Sequence, residues 1–305
     1  MKIEKAIEEY LMWLELEANK SINTVKAYRK DLNSLLEFLI IKQHSLKLKD
    51  ITVDDLKEYQ RHLASRLNKP TSRARRLTAI RSWLRWLYDE GFMAQALADR
   101  ITLPKLPQRL PKPMSQAELN RLLKSLPEGN LLELRDKALI LFLLSTGCRI
   151  SEALALNRSD LPQGSTKLIV YGKGGKERQV YLTQEARKAL DKYLNVRTDT
   201  CPALFINYSR SIHNDSARRL TQAGARYIVK RIRRQLGVWS FTSPHVARHT
   251  AATELLSATG GDVRLVQEVL GHASITTLQG YTQIVDVRKR KAYELYEKHL
   301  ENLQD

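Results

Sequence analysis

The sequence predicts a mainly α-helical chain of two domains, the second carrying a small antiparallel β-sheet. Apolar residues recur at helical spacing along most of the chain. A proline-rich stretch with no such period interrupts them at residues 104–113. Two runs of β-formers flank a glycine-rich turn at 172–177. A length of 305 residues suits two domains rather than one, and 43% hydrophobic residues suffice for two sizeable cores.

In chain order, Ile3, Ile7, Tyr10, Leu11 and Leu14 predict a first helix. Val25, Tyr28, Leu32, Leu35 and Leu39 predict a second, after the polar start Ser21-Ile22-Asn23-Thr24. Thr52 and Asp55 form a capping-box pattern ahead of a third helix carrying Leu56, Tyr59, Leu63 and Leu67. A fourth turns Leu77, Ile80, Leu84 and Leu87 inward, so residues 1–103 read as a four-helix bundle. Four prolines between Pro104 and Pro113 make that stretch the linker, and a second capping box, Ser115 with Glu118, opens a domain over 114–305. There, Leu139 to Leu144 predict a helix ending at Gly147, and 167–171 and 178–182 predict a hairpin with Lys173 on its tip. Leu204-Phe205-Ile206 suggests one further strand, and 287–303 a last helix with Ala292, Leu295, Tyr296 and Leu300 in register.

Fifty-one Lys and Arg against 33 Asp and Glu give a net charge of +18, which points to a polyanionic partner. Arg73, Arg75, Arg76, Arg81 and Arg85 form one acid-free cluster; Arg226, Lys230, Arg231, Arg233 and Arg234 form a second basic face. Both are candidate phosphate contacts, which fix position along DNA rather than base choice. No apolar run approaches the roughly 20 residues of a spanning helix, so no membrane role is expected. The N-terminus lacks a secretory pattern, and Cys148 and Cys201 are too few for a disulfide framework or zinc module, so a cytoplasmic, nucleoid-associated protein is expected.

The chemistry concentrates between Ser243 and Tyr281. Pro244 suits a first helical turn, which sets His245 and Arg248 three residues apart on one face. Gly271 suits a C-cap, leaving His272 at a turn, and Tyr281 follows nine residues later. A phosphodiester fits these groups: its cleavage needs cations on the non-bridging oxygens, an in-line nucleophile and a proton for the departing oxygen. His245 and His249 mimic a zinc pair, but no glutamate stands between them and no third ligand is evident, so no metal or other cofactor is expected.

Four motifs stand in order: Thr146-Gly147-Cys148-Arg149-Ile150-Ser151-Glu152, Gly172-Lys173 through Arg178, Pro244-His245 through Arg248-His249-Thr250, and Leu270-Gly271-His272 followed by Tyr281. Together they resemble the tyrosine recombinase (phage integrase) family, most of all its Xer branch, and Asn23 to Tyr28 resembles its core-binding domain. The resemblance implies a SAM-like four-helix core-binding domain and a catalytic domain. It implies that Arg149 and Arg248 clamp the scissile phosphate, with Glu152 holding Arg149. Lys173, with Lys176 as rival, would protonate the leaving 5′ oxygen. His245 and His272 would bond the phosphate, and Tyr281 would attack to give a 3′-phosphotyrosine. Because the ester conserves bond energy, neither ATP nor metal is required. Two positions depart from the pattern: Cys148, where Leu or Met is common, and Gly280, where a larger residue is usual. The family further implies a homotetramer or heterotetramer on two recombination sites. A chain opening directly on the core-binding domain fits dimer resolution or movement of a simple mobile element. The alternative is a catalytically silent architectural or regulatory DNA-binding protein, but drift of that kind would have lost one of the six groups.

Overall fold

Helices form where the apolar period and the caps place them. In the computed structural model, which describes residues 1–42, 45–66, 69–106, 113–172, 175–208 and 218–271, the chain divides into two units, Met1–Arg109 and Leu110–Asp305. The first unit holds α1 (Ile3–Leu16), α2 (Ile22–Ile41), α3 (Val53–Ser65) and α4 (Pro70–Asp89). Ser21 accepts the Thr24 N–H to start α2, Thr52 and Asp55 exchange bonds at the start of α3, and Pro70 occupies the first turn of α4. Their apolar faces close around Trp83, Tyr10 and Tyr59, all fully buried. Trp83 Nε1 donates to the Ala6 carbonyl at 3.3 Å and the Tyr10 hydroxyl to Ser82 at 2.7 Å, so both rings bury area without stranding a donor. Leu67, expected on α3, lies outside the described residues.

One acid enters this core. Asp31 of α2 is fully buried and pairs with Arg75 and, at 3.9 Å, with Arg76 of α4. Two members of the first basic cluster therefore serve the bundle itself, which the acid-free local sequence could not reveal.

The second unit holds α5 (Gln116–Ser125), α6 (Leu131–Thr146), α7 (Ile150–Ala155), the strands β1 (Lys167–Tyr171) and β2 (Glu177–Tyr181), α8 (Gln184–Asn195), α9 (Gln222–Leu236), α10 (Pro244–Ala258) and α11 (Val263–Leu270). Residues 138–143 of α6 are buried on every side, which makes that helix the axis on which α8 and α10 pack. Met114 donates its N–H to the buried Thr250 hydroxyl of α10 at 3.0 Å, and Glu118 caps α5 while also accepting the Ser240 N–H at 2.9 Å. The hairpin pairs Lys167 with Tyr181 and Tyr171 with Glu177, with Leu168, Val170 and Val180 turned into the core. Leu204–Ile206, expected as a strand, is buried chain with one isolated bridge among the described residues, Ile206 with Arg219, next to a second at Ala203 with Asn157. Its apolar side chains answer to burial, not to a ladder.

Two glycines end helices where the site begins. Gly147 after α6 and Gly271 after α11 are left-handed, at φ 59° and 63°. A Cβ on Gly147 would overlap Leu270 Cδ2 of α11, so the close approach of these two helix ends requires glycine.

Candidate active site

Arg149 follows the turn at Gly147 and is the N-cap of α7. Glu152, one turn into α7 and only 3% exposed, holds it twice. Oε2 accepts the Arg149 N–H at 2.9 Å and Oε1 accepts Nη1 at 2.7 Å. Backbone and guanidinium are thus fixed by one carboxylate, while 39% of the Arg149 side chain stays open to solvent. Arg178 of β2 adds a second cation, its Nη2 lying 2.7 Å from Glu152 Oε2 and 3.6 Å from Cys148 Sγ.

Arg248 reaches the same place from α10. Its guanidinium donates to the Gly147 carbonyl and, at 2.8 Å, to the Leu270 carbonyl, two acceptors left over at helix C-termini. Burial, reinforced by Arg149 and Arg178, pushes Arg248 down to about 10, so it keeps its charge at neutral pH. One turn earlier His245 is exposed at the mouth of this cluster. Desolvation, followed by the charges of Arg248, Arg226 and Arg149, holds it below the ordinary imidazole value. Its ring is neutral at pH 7 and can donate from one nitrogen and accept at the other. His249 is lowered as well, by desolvation and then by His245 and Arg248. This cationic setting suits an anion better than a metal ion.

Among the described residues the site gathers three guanidinium groups against one carboxylate. A phosphodiester carries one negative charge, and the addition of an oxyanion nucleophile raises it toward two in the pentavalent transition state. The surplus therefore favours the transition state over the ground state.

Of the six expected catalytic groups, Arg149, His245 and Arg248 are together. Lys173, His272 and Tyr281 lie outside the described residues, as do 287–303. Two sequence neighbours do reach the cluster. The Gly172 N–H closes the hairpin on the Lys176 carbonyl at 2.8 Å, and a Cβ on Gly172 would sit 3.6 Å from Glu152 Oε1. A Cβ on Gly271 would lie 2.6 Å from Arg178 Cδ. Arg178 stands within the Gly172–Arg178 motif, but the motif assigns it no role. The available signal was strand alternation, which sets Arg178 on the same face as the buried Val180.

The basic faces divide into two kinds of arginine. On α4, Arg75 and Arg76 attend Asp31, Arg85 is exposed and lies 3.4 Å from Asp99, Arg81 lines a groove with Tyr28 and Leu103, and Arg73 is half-buried. On α9, Arg226, Lys230 and Arg234 are exposed at four-residue spacing, while Arg231 pairs with the fully buried Asp136 and Arg233 stacks on Trp239 at 5.3 Å. Arg226 is also among the charges that act on His245.

The profile of the Phage integrase family matches residues 112–288, and that of the phage integrase N-terminal SAM-like domain matches residues 7–91. This chain belongs to the phage integrase family. As a tyrosine recombinase it is an enzyme that breaks and rejoins DNA at specific sites. It is 34% identical over 302 residues to the tyrosine recombinase XerC of Rhodospirillum centenum, covering 95% of this chain and 86% of that one. It is 33% identical over 301 residues to the tyrosine recombinase XerD of Oceanobacillus iheyensis, covering 96% and 98%. The recombinase fold superposes on the XerH site-specific recombinase bound to a palindromic difH substrate, with a TM-score of 0.70 at 25% identity over 92% of this chain and 81% of that one. No described helix of this recombinase is long and apolar enough to cross a membrane.

Proposed function

We propose that this recombinase cuts DNA by attack of Tyr281 on a scissile phosphate held by Arg149 and Arg248. Lys173 delivers a proton to the departing 5′ oxygen, and His245 and His272 bond the phosphate oxygens. The product is a 3′-phosphotyrosine, which a 5′-hydroxyl from a partner duplex reverses. Residues 1–103 and 114–305, joined by a linker at 104–113, each contact the duplex, with Arg73, Arg81, Arg85, Arg226, Lys230, Arg233 and Arg234 among the phosphate contacts. Two recombination sites meet in a tetramer of one or two kinds of subunit. The task is dimer resolution or the integration and excision of a mobile element.

One observation carries the reading. The Glu152-held Arg149 and the carbonyl-held Arg248 stand side by side, and Gly172 and Gly271, the residues before Lys173 and His272, abut that same cluster. The test has two stages. Covalent protein–DNA adducts are trapped in cells and their DNA sequenced; a nicked duplex of the recovered sequence is then incubated with the purified chain. A covalent adduct should form and should vanish in Tyr281→Phe, whereas its persistence in that variant would show another nucleophile. Lys173→Ala should cleave ordinary DNA slowly and recover when the leaving oxygen is replaced by sulfur, which departs without a proton. Absence of recovery removes Lys173 from the acid role.

A further inference from the structure

Glu152 raises an electrostatic difficulty that its own pairing with Arg149 does not solve. A carboxylate fixes an arginine well, but it also cancels the charge that the arginine brings to a phosphate. Left alone, a buried carboxylate and a guanidinium settle into a two-pronged fork, which would turn the nitrogens of Arg149 toward Glu152 and away from substrate. In this structure the second prong is taken. Arg178 Nη2 sits on Glu152 Oε2 at 2.7 Å, beside the Arg149 backbone N–H that donates to the same oxygen at 2.9 Å, and the Arg149 guanidinium is left with Oε1 alone, through Nη1. The three side chains together carry one net positive charge, where Arg149 and Glu152 alone would carry none.

Arg178 is built into this position. Its side chain is 12% exposed, on the core-facing side of β2. Its Cδ and Nε lie against Gly271, where an added Cβ would come within 2.6 Å of Cδ, and its second contact is Cys148 Sγ, the neighbour of Arg149 in sequence. A solvent-facing strand arginine would need none of these arrangements.

We propose that Arg178 is a positioning residue for strand cleavage. By occupying one oxygen of Glu152 it keeps Arg149 end-on to the carboxylate, with its charge uncancelled and the rest of its fork turned to the scissile phosphate. This inference rests on the reading of Arg149 as a phosphate clamp. It predicts that the defect of an Arg178 variant depends on phosphate charge, which a role in folding alone would not produce.

The experiment compares single-turnover cleavage of two nicked duplexes, one with an ordinary scissile phosphodiester and one with a methylphosphonate there, in which a methyl group replaces a charged oxygen. On the phosphodiester, Arg178→Gln should cleave at least about 10-fold more slowly than wild type with DNA affinity unchanged, the signature of a transition-state interaction. On the methylphosphonate that gap should close, and Arg149→Ala should show the same closing, because there is less charge to neutralise. Arg178→Lys should restore part of the phosphodiester rate. Equal slowing of Arg178→Gln on both duplexes, or wild-type cleavage of the phosphodiester, overturns the proposal. If Arg178→Gln does not fold, the ratio of the two rates in Arg178→Lys decides by the same criterion. Absence of any adduct from the wild-type chain overturns the recombinase mechanism as well, so the two failures are distinguishable.

Discussion

Arg149 and Arg248 bring the same charge to the same place and are held there by opposite means. Arg149 leans on a carboxylate and keeps 39% of its side chain open, whereas Arg248 leans on two neutral carbonyls and is buried. An arginine held by an acid is well aimed but shares its field. An arginine held by carbonyls keeps its field but becomes a strut, since its removal strands main-chain acceptors at the ends of α6 and α11. One anchor specifies orientation, and the other is part of the architecture.

The contrast should disappear in the chemistry and reappear in stability. Arg149→Ala and Arg248→Ala are each expected to slow single-turnover cleavage by about 10²–10³-fold, the usual loss for one oxyanion donor. In denaturant melts, Arg248→Ala should lose about 2–4 kcal/mol through two stranded carbonyls. Arg149→Ala should lose under about 1 kcal/mol, because Arg178 and a backbone N–H still serve Glu152. Equal stability losses would erase the distinction.

Gly147 gives a way to strike the strut alone. Gly147→Ala adds a methyl into Leu270 at a left-handed backbone position and should cost about 1–3 kcal/mol, measured as a lowered denaturant midpoint. A neutral result would mean that the ends of α6 and α11 are not as tightly opposed as the structure has them.

The field of Arg248 also reaches the two histidines of α10. Both are depressed from an ordinary value of 6.5, so the folded chain binds fewer protons than the unfolded one between the folded values and that pH. Their contribution to stability is therefore complete above about pH 6.5 and is lost as pH falls through it toward the folded values. A His245→Asn, His249→Asn chain should lose less stability than wild type between pH 7 and pH 5 in melts at matched ionic strength; parallel curves would assign the acid sensitivity elsewhere.

The smallest effects belong to the exposed face of α9. Alanine at Arg226, Lys230 or Arg234 should shift stability by no more than about 0.5 kcal/mol and lower the salt dependence of DNA binding by about one counterion each. Arg231→Ala should do the reverse, since it removes one of the two arginine partners of the buried Asp136. A salt slope unchanged in the first three would remove that face from the DNA footprint.

Helix positions were legible because period and caps speak locally. Ser115 with Glu118, Thr52 with Asp55, Pro244 and Gly271 all act within a turn of where they stand in the sequence. His245 and Arg248 were legible together from their spacing of three on α10, but Arg149 joined them only through the family resemblance, since nothing in the spacing brings α7 to α10. What could not be read were partners across long separations. Asp31 lies 44 residues from Arg75 and Asp136 lies 95 residues from Arg231, so arginines that look like one solvated face divide into struts and exposed charges only after folding. Arg178 was hidden for another reason: alternation sets it on the face of Val180, but its partner Glu152 lies 26 residues away on α7.

The two acceptors of Arg248 have a mechanical consequence. One guanidinium rivets the turn that introduces Arg149 to the last carbonyl of α11. A shift of that carbonyl by about an ångström would carry it out of hydrogen-bond range. The C-terminus of α11 therefore shares a hinge pin with the turn before Arg149, and a displacement of one loosens the other.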